Sequence, residues 1–91
     1  MELEIYYRQD RMISAMRIEV FSQNSVAVDL VKKLITDGLR PHLRTTVNRD
    51  NLVQLFFFTK DALQRGRDIL CQALTQIDHQ AVVTVYNCPP K

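Results

Sequence analysis

The segment Leu52-Val53-Gln54-Leu55-Phe56-Phe57-Phe58 constrains the fold more than any other stretch of this chain. It lies between Asn48-Arg49-Asp50-Asn51, whose residue types favour turns, and Thr59, which suits the first cap of a helix. Its length and its bulky apolar side chains predict a strand. Successive side chains of a strand point to opposite sides, so Val53, Leu55 and Phe57 share one face and Leu52, Phe56 and Phe58 the other. Both faces are apolar, which is the pattern of an interior strand covered on two sides.

The flanking sequence switches between period 2 and period 3.6. Leu3, Ile5 and Tyr7 alternate with Glu4 and Tyr6, predicting a short opening strand, and Arg8-Gln9-Asp10-Arg11 reads as a polar turn. Alternation resumes from Met12, with Met16, Ile18 and Val20 on one face and Arg17, Glu19 and Phe21 on the other, so residues 1–21 are expected to form a hairpin. Ser22-Gln23-Asn24-Ser25 offers side chains that accept the free amide protons of a helix's first turn. Ala27, Leu30, Val31, Leu34 and Ile35 then form an apolar stripe, opposite Asp29, Lys32, Lys33 and Asp37. Gly38 is expected to end this helix in the left-handed conformation, with Pro41 beyond it.

His42 to Val47 reads as a strand with Leu43, Thr45 and Val47 on one face, joined to the 52–58 strand as an antiparallel hairpin. Thr59 caps a second helix, where Asp61 complements the dipole and Ala62, Leu63, Gly66, Ile69, Leu70, Ala73, Leu74 and Ile77 fall at helical spacing. Gly66 on the buried stripe costs about 1 kcal/mol in helix propensity relative to alanine. Two readings stay open for it: a close helix-to-sheet approach, or a tolerated glycine. Ala81 to Tyr86 is the closing strand, and Cys88-Pro89-Pro90-Lys91 is an extended tail.

From residue 12 to 87 the order is strand, helix, strand, strand, helix, strand. It resembles the split βαβ, or ferredoxin-like, sandwich. That resemblance implies an α+β fold with a four-stranded antiparallel sheet and both helices on one face, since right-handed crossovers put them on the same side. An extra N-terminal strand precedes this βαββαβ core. At 91 residues, with 46% hydrophobic and 24% charged residues, the chain is expected to fold as one domain over residues 1–91. Its parts are an N-terminal strand and turn (1–11), the core (12–87) and the tail (88–91). A domain this small buries only about 60–65% of its unfolded surface, so a partner subunit would add to its stability.

The same architecture serves acylphosphatases, ligand-sensing ACT domains and PII-like signalling proteins. Ser22-Gln23-Asn24-Ser25 has neither the glycine-bearing arginine loop of the first nor the glycine of the second. Asn48 to Asn51 is too short for the long loop of the third. Catalytic and metal chemistry find equally little support. His42, His79, Cys71 and Cys88 form no i, i+3 or i, i+4 pair and no CxxC turn, and His79 and Cys88 fall at opposite ends of the last strand. No metal or cofactor is expected. Cys71, beside Leu70 in mid-helix, reads as packing, Ser22 and Ser25 lack a GxSxG elbow, and the two glycines, Gly38 and Gly66, make no phosphate-cradling loop.

The net charge is +2, no run of like charge suggests a nucleic-acid tail or a membrane-surface segment, and the strictly apolar run Leu55–Phe58 is far too short to span a bilayer. The acidic start Met1-Glu2-Leu3-Glu4 lacks the order of a signal peptide, so a cytoplasmic location is expected.

If Ile18, Val20, Leu43, Val47, Val53, Leu55, Phe57, Val83 and Val85 face the helices, the opposite face carries Arg17, Phe21, His42, Arg44, Phe56, Phe58, Val82, Thr84 and Tyr86. Burying a phenylalanine is worth roughly 1.5–3 kcal/mol, so such a face calls for a cover. The expectation is a small non-enzymatic interaction or regulatory module, a homodimer or a binder of a protein partner, with Phe21, Phe56, Phe58, Tyr86 and Val82 at the interface. A cover by the chain's own N-terminal hairpin competes with it. The alternative function is single-stranded nucleic-acid binding through Arg17, His42, Arg44, Phe56 and Phe58. Against it, Asn51-Leu52-Val53-Gln54 precedes Phe56 where an RNA-recognition motif has a basic residue and a glycine, and Glu19 occupies the first core strand.

Overall fold

The computed structural model describes residues 4–9, 16–78 and 80–87, with residues 4–9 and 87 described through backbone and register. The elements are β1 (Glu4–Gln9), β2 (Arg17–Phe21), α1 (Ser25–Leu34), β3 (Leu43–Arg49), β4 (Leu52–Phe57), α2 (Lys60–Ile77) and β5 (Val82–Asn87). The fold is α+β. Its sheet has the order β1-β5-β2-β4-β3. Within it β5-β2-β4-β3 are antiparallel neighbours, and β1 is added parallel to β5.

Alternation produces the core as the sequence predicts along β2, β4 and β5. Ile18, Val20, Val53, Leu55, Phe57, Val83 and Val85 are buried in one cluster with Ala27, Val28 and Val31 of α1 and Ala62, Leu63, Leu70 and Leu74 of α2. Asn24 caps α1 by accepting from the Val26 amide at 2.9 Å, and Thr59 caps α2 by accepting from the Ala62 amide at 3.1 Å. Each side chain satisfies a donor that the first helical turn cannot pair internally.

Several expectations are corrected. Residues 4–21 do not form a hairpin, because β5 lies between β1 and β2. Arg8 and Gln9 belong to β1 rather than to a turn; Asp10 and Arg11 lie outside the described residues. Gly38 does not end α1 in the left-handed region. The helix passes into a π-helical turn, Ile35–Leu39, and a 3-10 turn, Arg40–His42, and no glycine has positive φ. This wider turn carries Ile35 and Leu39, both of which are buried in the core cluster. His42 therefore precedes β3 instead of opening it.

The largest correction lies in β3. Leu43 pairs with Phe57, but the next pair is Thr45 with Phe56, so Arg44 is an extra residue in a bulge. One unpaired residue exchanges the faces of all that follows. Thr46 accordingly stands opposite buried Leu55, whereas Thr45 and Val47 stand opposite Phe56 and Gln54 on the open side, not under the helices. Asp50, the first residue of the two-residue β3–β4 turn, has φ 47°, a conformation that two-residue hairpins favour and that aspartate tolerates.

Gly66 is the close approach. A Cβ there would lie 2.5 Å from Cζ and 2.7 Å from Cε2 of Phe57, whose ring is almost fully buried. Gly66→Ala should therefore lower stability by about 1 kcal/mol in denaturant unfolding, although alanine is the better helix former, because overpacking costs roughly 1–3 kcal/mol. In a Phe57→Leu background the same substitution should stabilise.

Candidate protein-interaction face

On the side of the sheet away from the helices, register sorts the side chains into three rows. At one end Tyr86, Arg17, Phe56 and Thr45 stand side by side across β5, β2, β4 and β3. The middle row is Thr84, Glu19, Gln54 and Val47. The far row is Val82, Phe21, Leu52 and Arg49. Arg17 and Phe21 are four residues apart on one strand, about 13 Å at strand rise. Phe21 and Phe56 thus mark opposite ends of the face and do not form one continuous patch.

A polar network occupies the centre. Glu19 Oε2 accepts from Arg17 Nε at 3.0 Å and from Gln54 Nε2 at 2.7 Å, with the Arg17 and Glu19 side chains only 18% and 19% exposed. The Arg17 guanidinium lies 3.9 Å from the centre of the Tyr86 ring and 5.9 Å from that of Phe56. A cation over an aromatic face is worth about 0.5–2 kcal/mol, rising with desolvation. Arg17 therefore covers part of both rings, which accounts for Phe56 and Tyr86 being half-buried without a partner chain.

The residues singled out from sequence separate accordingly. Phe21 is 42% exposed, and Phe58, one residue beyond β4, is 58% exposed. Val82 is half-buried next to Phe21 in register. His42 and Arg44 are exposed near Phe58, whose amide donates to the His42 carbonyl at 3.2 Å. β1 does not cover the face, since it lies in the sheet beside β5. His79 and Cys88 lie outside the described residues, and among those described no group of three or more His, Cys, Asp or Glu is placed to hold a metal. No described helix is long and apolar enough to cross a membrane.

Sequence reasoning took Ser22 as part of a capping segment and set it aside as a nucleophile, yet it is a buried polar residue that ties three loops together. Its amide donates to the Asn51 carbonyl in the β3–β4 turn at 3.0 Å. Its Oγ donates to Asp78 Oδ2 after α2 at 2.5 Å and accepts from the Asn24 amide at 3.0 Å. A serine two residues before a helix cap carries a weak signal for such a turn; the long-range partner Asp78 has none in sequence. Beside this junction Phe21, Gln23, Asn24, Asp78, Gln80 and Val82 line an open notch of about 450 Å³. Ser22→Ala should cost about 1–3 kcal/mol by removing the hydroxyl's bonds to the half-buried Asp78 carboxylate and to the Asn24 amide, against under about 0.5 kcal/mol for exposed Ser25→Ala, both read by urea unfolding.

Cys71 is half-buried against the core, and its thiol is pushed above the ordinary cysteine range mainly by burial, with Arg67 opposing and Asp68 adding to the shift. The thiolate is the nucleophile, so Cys71 is a packing residue at neutral pH. In a Cys88→Ser chain, its alkylation by iodoacetamide should accelerate only above the pH at which an unstructured peptide thiol, near pKa 8.5, has already ionised. Half-maximal reactivity at or below that pH would contradict the assignment.

Comparison with protein-family models, with curated proteins and with solved structures finds no match to this chain.

Proposed function

We propose that this chain is a small, non-enzymatic cytoplasmic interaction module that associates with a second copy of itself through the open face of its sheet. The observation that carries this reading is Phe21. It sits on a strand with neighbours on both sides, beside Leu52 and Val82 in register, yet is 42% exposed. Burial of such a ring is worth roughly 1.5–3 kcal/mol, and closed two-fold pairing is the commonest way soluble chains obtain it. The face suits self-pairing. A two-fold axis running across the strands at the Glu19 row would set the Phe21, Leu52 and Val82 end of one copy against the Phe56 and Tyr86 end of the other. The core is read as a ferredoxin-like βαββαβ sandwich, supported by the neighbour order β5-β2-β4-β3.

Single-stranded nucleic acid is the less favoured occupant. His42, Arg44 and Phe58 lie near one corner, but Arg17 is engaged by Glu19 and lies over the ring face of Tyr86 on which a base would stack. Sedimentation of the pure protein at micromolar concentration tests the reading. Phe21→Asp should halve the sedimenting mass while circular dichroism shows the fold retained, and equal masses for the two chains would overturn it.

A further inference from the structure

The two edges of the sheet are not equivalent. β3 closes one edge with a bulge at Arg44 and with charged Arg44 and Arg49, features that discourage pairing with another strand. β1 forms the other edge, and among the described residues its outer side has no strand partner. It stays in unbroken register with β5 from Glu4↔Val82 to Gln9↔Asn87, about 20 Å of regular strand without a bulge or a proline. Ile5, Tyr6 and Tyr7 are strand-favouring residues. A regular edge of this kind is a template for another strand.

The order of residues along β1 specifies which strand. Glu4 and Arg8 stand two positions on either side of Tyr6. If two copies of β1 pair antiparallel about Tyr6, position 4 of each lies opposite position 8 of the other, and Ile5 lies opposite Tyr7. Two Glu4–Arg8 pairs then form by symmetry, and opposite charges directly across a strand pair are stabilising. In a register slipped by two residues position 4 would lie opposite Tyr6 or Asp10 instead of Arg8, and in the first of these Arg8 would meet Glu2, so the reversal at position 4 is the one that reports the Tyr6-centred register. The partners have the same parity, so both copies keep their helices on one side of the joined sheet. We infer that β1 is a homotypic docking edge: a second copy of this chain pairs with it antiparallel, centred on Tyr6, to make one continuous sheet across a two-fold axis.

This edge is independent of the open-face contact and uses none of its residues. The test is therefore made in the Phe21→Asp chain, where face pairing is absent, by sedimentation with circular dichroism as a check on folding. That chain should sediment as a dimer, and Glu4→Arg or Arg8→Glu alone should weaken the dimer about tenfold or more, because each turns two attractive pairs into like-charge pairs. The double swap Glu4→Arg with Arg8→Glu should restore it. Within one chain positions 4 and 8 are about 13 Å apart along the strand, so rescue reports contact between copies. A monomeric Phe21→Asp chain, single reversals without effect, or a double swap that fails to recover the dimer would each overturn the inference.

Discussion

The ring of Phe57 beneath Gly66 is the contact on which the remaining geometry depends. A side chain at position 66 would meet that ring at 2.5 Å, so α2 can lie on β4 only because residue 66 has none. Once Phe57 points at the helix, alternation commits Leu55 and Val53 to the core and Phe56, Gln54 and Leu52 to the other side. Pairing with β2 then fixes that other side: Arg17 opposite Phe56, Glu19 opposite Gln54, Phe21 opposite Leu52. The open face is thus a consequence of how the covered face packs.

That open face is divided rather than uniformly apolar. Its middle is held by the Arg17–Glu19–Gln54 network, and the guanidinium lies against Tyr86 and Phe56. The polar centre satisfies its own hydrogen bonds, which gives it little to gain from a partner, while Phe21 at one end and Phe58 beyond the other remain accessible. Binding energy on such a surface concentrates at its ends, and the paired charges in between set orientation more than affinity.

How much of this was legible in sequence depended on whether local pattern or distant pairing decided the outcome. The two helices, the Thr59 cap, the segment 22–25 that holds the Asn24 cap, and the buried rows of β2, β4 and β5 follow from periodicity and capping chemistry alone, whereas which residue of that segment caps α1 does not. The bulge at Arg44 is invisible to a period-2 reading, because a single unpaired residue leaves composition unchanged while exchanging the faces of Thr45 and Val47. The position of β1 beside β5 joins the two ends of the chain in parallel, and no local signal distinguishes that from a hairpin with β2. Arg17 and Glu19 were legible as residues of the open face, but their mutual bond, which draws Arg17 over the rings, was not.

The central claim is that the ring of Phe21 is withdrawn from water by a second copy of the chain. The most direct measurement labels the four phenylalanines with fluorophenylalanine and follows their fluorine resonances with a soluble paramagnetic relaxation agent as the protein is diluted. Phe57 should be shielded at every concentration; the account predicts that Phe21 is shielded in the concentrated protein and becomes accessible on dilution. A Phe21 resonance broadened equally by the agent at all concentrations would contradict it.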